Sequence, residues 1–284
     1  MDRRSFRLLA LLGLLLASTF AVLHADLGWS PSSYQPVSQA ILERLPATIE
    51  LAFFALVATV VLGAIAGFAR ARTRPPALRG GLALLQLAVR AIPIFVLATL
   101  LQMLAMFRTS LPIAGMTSGA AFGLRDHLTH LILPVLILAV PFGAWSSLIF
   151  HDFFRARGNA SRTELRSLVE PVATTVAFVG PALLTATLLI EPRFAWPGVA
   201  RLFFNGLSQL DLALAAGCLL TYSAGVVLLK LCAAFSPSSS PRNLASRPPG
   251  ISVVTIVALV VLLGAALAAA GANVIAPFDP NFID

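Results

Sequence analysis

The stretch LAFFALVATVVLGAIAGFA, residues 51–69, contains no Asp, Glu, Lys or Arg. A helix needs about 20 apolar residues to cross the hydrocarbon core of a bilayer, so this run predicts a transmembrane helix. Because lipid offers no hydrogen bonds to an exposed backbone, such runs are expected to be helical. Further uncharged runs occupy residues 91–107, 131–150, 172–190, 212–229 and 251–272, and a shorter one occupies residues 8–23. The sequence therefore predicts an all-α polytopic membrane protein with about seven transmembrane helices.

The composition excludes a water-soluble globular protein. Of the 284 residues, 58% are hydrophobic and only 11% are charged, whereas soluble domains average about 25% charged residues. The net charge is +8, and a basic balance can indicate nucleic-acid binding. Basic loops on the cytoplasmic side of a membrane explain it better here, so no nucleic acid is predicted as a partner.

The distribution of basic residues predicts the topology. If the seven runs alternate from a cytoplasmic N-terminus, fourteen Lys and Arg side chains fall in cytoplasmic segments and five in external ones. Arg90, near the start of a run, is left uncounted. This positive-inside bias places the N-terminus inside and the acidic C-terminus outside. The first run, preceded by Arg3, Arg4 and Arg7, also fits a cleavable signal peptide, which would remove the first span.

No catalytic constellation is present in the sequence. The phosphate-binding pattern GxxxxGK[ST] is absent, so nucleotide binding by that route is not expected. His127 and His130 share a helical spacing that metal ligands use, but interfacial hydrogen bonding is the favoured interpretation because no Cys, Asp or Glu cluster accompanies them beyond Asp126. We predict no cofactor, no metal site and no enzymatic activity of the chain itself.

Three residues in or next to the apolar run 51–69 have a predicted structural role. Glu50 borders that run, and we expect its carboxylate to extend to the interface. Gly63 and Gly67 are four residues apart, a spacing that favours close helix packing in membranes.

Several segments resemble one family, the permeases of dipeptide and oligopeptide ABC importers. The family's segments GDLG, PV, RLPATLELA, IPxF, HLILP and ETVFSWPGLGRL occur in the same order as similar segments here. Those are ADLGWS at 25–30, QPV at 35–37, ERLPATIELA at 43–52, IPIF at 92–95, HLILP at 130–134 and EPRFAWPGVARL at 191–202. The resemblance covers roughly residues 25–235 and is to the B-type subunit, with a core of the type I importer permease.

The chain departs from the family in three places. The long external segment after the first helix is mostly missing, and the cytoplasmic loop is compressed. The tail NVIAPFDPN, residues 273–281, resembles a segment that follows the first helix of the C-type partner permease. We therefore predict four regions: an N-terminal helix or signal anchor (1–25), a permease core (26–235), a cytoplasmic linker (236–250), and an extra helix with an external tail (251–284).

The resemblance implies two functional segments. One is a cytoplasmic loop that couples the chain to an ATPase, and it includes Arg155, Arg157, Gly158, Leu165, Leu168 and Pro171. The other is an external loop that caps the pathway and faces a binding protein, and it includes Glu191, Phe194, Trp196, Pro197, Gly198, Arg201 and Asp211. The whole cytoplasmic loop, His151–Glu170, alternates in charge and contains Gly158, which predicts one or two short polar helices with a break. Without the resemblance, a solvated connection that follows the positive-inside bias is the favoured interpretation of this loop.

The resemblance further implies the function, partners and location. The chain would be a permease subunit of an ATP-driven importer of peptides or similar small solutes in the bacterial inner membrane. Its partners would be a second homologous permease, cytoplasmic ATPase subunits, a periplasmic or lipid-anchored solute-binding protein, and the lipid bilayer. The alternatives are a secondary transporter that works without ATP, and a degenerate membrane scaffold that does not transport.

Overall fold

The computed structural model of the chain describes residues 27–108, 111–118, 123–156 and 168–235. A two-stranded hairpin comes first, with β1 (Trp29–Ser30) antiparallel to β2 (Gln35–Pro36). Everything after it in the described part is helix or connection. The helices are α1 (Val37–Arg72), α2 (Pro76–Ala91), α3 (Ile94–Arg108), α4 (Leu124–Ala156), α5 (Val169–Arg193), α6 (Val199–Ser208) and α7 (Leu212–Phe235).

Four helices in the described part are long and apolar enough to cross a membrane. They are α1, α4, α5 and the Leu212–Lys230 part of α7. Each contains one of the predicted runs, so the predictions for residues 51–69, 131–150, 172–190 and 212–229 are confirmed, and the chain is a polytopic all-α membrane protein. The predicted runs 8–23 and 251–272, and the linker 236–250, lie outside the described residues.

The predicted span at residues 91–107 has a different form from the one expected. Helices α2 and α3 meet at a bend of 95°, so this apolar part of the chain is a broken or re-entrant element and not one straight spanning helix. Pro93 explains the break, because proline lacks a backbone N–H and disfavours helical geometry in the preceding residue. Ile92 accordingly has φ −72° and ψ 121°, an extended conformation.

Two helices extend well beyond their apolar runs. Helix α1 has 36 residues, or about 54 Å at 1.5 Å per residue, which exceeds the roughly 30 Å hydrocarbon core. Helix α4 continues to Ala156, so residues 151–156 are part of a long helix and not of a separate polar one, which corrects the expectation for this loop. His151, expected in the loop, is buried on that helix.

The chain is divided into two compact units. The described residues of the first unit are 27–43 and 202–228. Its buried apolar side chains include Val37, Ile41 and Leu214. A Cβ atom on Gly217 would lie 2.6 Å from Val37 Cγ1, so α7 approaches the start of α1 closely within this unit.

The second unit holds described residues between 44 and 201, with 229–235. In it, α1 and α4 pack at glycines. A Cβ atom on Gly67 would lie 2.7 Å from Phe150 Cβ, one on Gly63 would overlap Ser146, and one on Gly143 would lie 3.0 Å from Leu62 Cβ. The close packing predicted from Gly63 and Gly67 is therefore confirmed. Side chains of α1, α3, α4 and α5 contribute to one apolar core, among them Leu51, Ala98, Ile137 and Leu183.

Candidate functional site

The segment predicted as an external loop is mostly packed inside the second unit. Glu191 lies on the last turns of α5, and Glu191, Phe194, Trp196 and Gly198 are all buried. Pro197 and Arg201 are half-buried, and the Arg201 guanidinium donates to the Ala195 carbonyl at 2.7 Å. The expectation that this segment caps the pathway and faces a binding protein did not anticipate that Glu191, Phe194, Trp196 and Gly198 would be buried.

Hydrogen bonds join this segment to the residues of α1 that come just before the apolar run 51–69. The Trp196 indole Nε1 donates to the Ala47 carbonyl at 2.9 Å, and both groups are buried. The Thr48 hydroxyl accepts from the Val199 backbone N–H at 2.9 Å. Two of the sequence segments that carry the family resemblance, 43–52 and 191–202, therefore form one site in space.

The same site caps helix α6. The first N–H groups of a helix have no partner within it, so they need acceptors from outside. The Glu191 carboxylate accepts from the Ala200 N–H at 2.7 Å, and Thr48 accepts from Val199. A buried carboxylate thus holds the start of α6 beside α1.

Gly198 allows the carboxylate to reach the helix end. A Cβ atom built at this position would overlap the Glu191 carboxylate and lie 2.6 Å from Thr48 Oγ1. The turn before it is equally tight, because Trp196 N–H donates to the Glu191 carbonyl at 2.8 Å and Ala195 has a positive φ of 50°. Any side chain at residue 198 would displace one of the two capping groups.

A polar pair lies next to Trp196. His127 Nε2 is 2.6 Å from Glu50 Oε1, and its Nδ1 is 3.2 Å from the Met116 carbonyl. The imidazole and indole ring centroids are 5.8 Å apart. Glu50, which we expected to extend to the interface, is paired with His127 of α4. Hydrogen bonding is the role that the sequence favoured for His127.

The two hydrogen bonds of His127 require an additional proton in this pair. A carbonyl oxygen only accepts, so Nδ1 of His127 must donate to Met116. At 2.6 Å a second hydrogen must then lie between Nε2 and Glu50 Oε1. Either the imidazole is protonated and faces a carboxylate, or a neutral imidazole accepts from a carboxylic acid. In both states the pair is neutral overall, which suits its half-buried position.

A hydrogen bond from Arg193 connects the C-terminal end of α5 to α3. Arg193 Nε donates to Gln102 Oε1 at 2.6 Å, and the Gln102 amide donates to the Ile113 carbonyl at 3.0 Å. Sequence reasoning did not identify Thr48, Glu50, His127 or Gln102 as site residues. Thr48 and Glu50 lie within the quoted segment ERLPATIELA, residues 43–52, whereas Gln102 lies in none of the quoted segments.

Asp211 belongs to the first unit, whereas the other predicted loop residues belong to the second. Its carboxylate accepts from the Ser30 hydroxyl at 2.6 Å, the Ser32 hydroxyl at 2.7 Å and the Leu214 N–H at 3.0 Å. Burial alone would raise the pKa of Asp211, but the hydrogen bonds from Ser30, Leu214 and Ser32 outweigh it and hold the pKa below its usual value. The residue caps α7 and anchors the segment that follows β1.

We expect Asp211→Asn to lower the stability of the folded chain at neutral pH but not at acidic pH. A carboxylate with a lowered folded pKa contributes stability above its unfolded pKa of about 3.9, and that stability is lost as the pH falls through the folded value. The wild-type melting temperature in detergent should therefore exceed that of Asp211→Asn at neutral pH, and the gap should close below about pH 4. Glu43→Gln, at an exposed position, is the control. A constant gap between wild type and Asp211→Asn at all pH values would contradict the assignment.

The predicted coupling residues are only partly within the described chain. Arg155 is exposed near the end of α4, Leu168 is half-buried immediately before α5, and Pro171 is buried in the first turn of α5. Arg157, Gly158 and Leu165 lie outside the described residues. Val169, beside Leu168, is 66% exposed. Among the described residues no group of three or more His, Cys, Asp or Glu could hold a metal ion.

The chain is similar to permease proteins of bacterial peptide transport systems. It is 30% identical over 218 residues to such a protein from Brucella abortus, and the match covers 69% of this chain and 68% of that protein. A Brucella suis protein matches to the same extent. The dipeptide transport system permease protein DppB of Escherichia coli is 25% identical over 252 residues, which is 75% of this chain and 74% of its own length. No family model matches the chain.

Proposed function

The chain belongs to the permease family of dipeptide and oligopeptide ABC importers, and we propose that it is the membrane permease subunit of an ATP-driven importer of peptides or similar small solutes. The observation that carries the proposal is the match to peptide permeases over more than two thirds of both chains. The four apolar helices and the bent pair suit a subunit that builds a pathway through a bilayer. It is a permease subunit and not itself an enzyme.

The proposed partners follow from this role. Cytoplasmic ATPase subunits would supply the energy, a second homologous permease would complete the pathway, and a solute-binding protein would deliver the substrate from outside. Binding of these partners would favour one of two packings of the same bundle. The bacterial inner membrane is the proposed location.

The segment joined by Trp196, Gly198 and Glu191 is proposed as the rigid external end of the subunit. Its buried side chains would hold the start of α6 in register, while the half-buried Pro197 and Arg201 are the parts that a binding protein could touch. Residues 155–171 are proposed as the surface that meets the ATPase.

Reconstitution of the complete complex tests the proposed function. The chain, the second permease, the ATPases and the binding protein are placed in vesicles, and uptake of a labelled dipeptide is measured with and without ATP. We expect ATP-dependent uptake. Uptake driven by a proton gradient without ATP would support a secondary transporter, and assembly without any uptake would support the scaffold; either result would overturn the proposal.

Val169→Asp is expected to reduce uptake severalfold while leaving ATP hydrolysis in place. Val169 is an exposed apolar side chain at the start of α5, and a carboxylate there would have to be desolvated in an apolar contact. Arg155→Ala is the matched control, because an exposed ion pair contributes only about 0–1 kcal/mol. Uptake that is unchanged in Val169→Asp would show that the first turn of α5 does not contact the ATPase.

A further inference from the structure

We propose that helix α2 lies in the plane of the membrane surface and forms, with Arg72, Arg74 and Arg79, a binding surface for anionic phospholipid. The proposal needs only that the chain spans a membrane and is independent of what it transports. Helix α2 has 16 residues and meets α3 at 95°. If α3 runs along the membrane normal, α2 must run nearly parallel to the surface.

The polar side of α2 faces the protein. Gln86 is buried, its amide donates to the Ala66 carbonyl at 3.4 Å, and its carbonyl accepts from Arg70 at 3.3 Å. The Arg90 guanidinium lies over the Trp145 ring of α4, 5.1 Å from its centroid. Helix α2 is therefore attached to α1 and α4 through its hydrogen-bonding residues.

The opposite side of α2 is apolar and uncovered. Leu78, Leu84, Leu85 and Leu87 are each more than half exposed, with Leu84 at 67%. Exposure of these leucine side chains to water is unfavourable, because apolar surface is more stable in an apolar environment. An acyl-chain environment at the membrane boundary satisfies this face, as in amphipathic helices that lie at the interface.

The positive charge around the start of α2 favours a lipid with an anionic headgroup. Arg72, Arg74 and Arg79 are exposed, and the sequence contains no Asp or Glu between residues 51 and 125. Guanidinium groups bind phosphate oxygens through paired, charge-assisted hydrogen bonds. Clustered basic residues beside a membrane helix attract anionic lipid headgroups. The positive-inside bias places this cluster at the cytoplasmic leaflet.

Phospholipid fits both properties of the surface, whereas the other candidates fit one. An acidic water-soluble protein or a nucleic acid would neutralise the arginines but leave the leucines of α2 exposed. A purely apolar partner would cover the leucines but not the arginines. An anionic phospholipid presents a phosphate and acyl chains in one molecule, so it can pair with the arginines and cover the leucines.

Depth measurements on the full chain test the position of α2. Cys218 and Cys232 are first replaced by alanine, and a fluorophore is attached at Leu84→Cys in vesicles that contain brominated phosphatidylcholine. We expect bromines near the headgroup to quench residue 84 most strongly. Leu100→Cys, in the middle of α3 and 57% exposed, is the control and should be quenched by deep bromines. Equal depth of both residues, or reaction of residue 84 with a water-soluble thiol reagent, would overturn the proposal.

Lipid retention tests the arginines. The full chain is extracted from vesicles of phosphatidylcholine and phosphatidylglycerol in equal amounts, and the co-purified lipids are measured by mass spectrometry. We expect severalfold enrichment of phosphatidylglycerol that is lost in the double variant Arg74→Gln, Arg79→Gln. The double variant Arg108→Gln, Arg125→Gln removes the same charge from exposed positions and should keep the enrichment. Equal lipid ratios in both variants would show that the binding surface lies elsewhere.

Discussion

Replacing Gly198 by alanine is expected to destabilise the chain and abolish peptide uptake by the assembled complex. The added Cβ atom would overlap the Glu191 carboxylate and lie 2.6 Å from Thr48 Oγ1. Forcing extra atoms into a packed core costs about 1–3 kcal/mol, and a buried donor left without its acceptor costs about 1–3 kcal/mol more. The backbone N–H groups of Val199 and Ala200 are the donors at risk.

Gly80→Ala is the control for this substitution. A Cβ atom at Gly80 would have no neighbour within 4 Å, and alanine favours a helix over glycine by about 1 kcal/mol. The melting temperature of the detergent-solubilised chain and the rate of peptide uptake are measured for both variants. If Gly198→Ala matched the wild type in both measurements, the role of Gly198 as the contact point of α5, α6 and α1 would be disproved.

The helical architecture was accessible from the sequence because burial in lipid acts on whole runs of residues. The uncharged runs at 51–69, 131–150, 172–190 and 212–229 each coincide with a helix that could span a membrane. Helix ends were less accessible, since polar residues such as Glu43 and Arg44 are compatible with a helix that leaves the membrane. The segment IPIF, residues 92–95, was noted for its family resemblance, and its proline also produces the 95° bend.

The site was harder to predict because some of its hydrogen bonds join residues far apart in the sequence through backbone atoms, which are the same for every residue type. Trp196 donates to a backbone carbonyl, that of Ala47, 149 residues away. Any residue at position 47 offers the same carbonyl, so only the fold identifies the acceptor. Glu191 and Gly198 were selected by resemblance alone, and their physical role, a carboxylate that caps α6 across a glycine, required the three-dimensional structure.

The pairing of Glu50 with His127 was hidden for a similar reason. Each residue alone suggests an interfacial side chain, and 77 positions separate them. The second unit brings them to 2.6 Å, with side-chain exposures of 27% for Glu50 and 19% for His127. A pair at this depth holds a shared proton more firmly than a solvated pair would, because water competes less for the hydrogen bond.

Removing both members of this pair is expected to cost less stability than the sum of the costs of the two single removals. In His127→Ala, the Glu50 carboxyl group loses its partner, and in Glu50→Ala the second ring nitrogen of His127 loses its partner. Breaking a fully buried pair costs about 3–5 kcal/mol. Solvent screening at this half-buried site reduces the expected coupling to about 1–2 kcal/mol, within the range found for residues in contact.

A double-mutant cycle in detergent measures this coupling from the unfolding of the wild type, the two single variants and the double variant. The exposed pair Gln39 and Glu43, 3.3 Å apart on one turn of α1, provides a control cycle in which we expect little coupling. Additive effects at Glu50 and His127 would contradict the shared proton. Isotope-edited infrared spectra then distinguish its two forms, since a protonated Glu50 shows a carboxylic-acid carbonyl band that His127→Ala should shift, whereas an ionised Glu50 shows only carboxylate bands. In either form the pair is neutral, so it can remain beside Trp196 at the end of the spanning segment without introducing a net charge there.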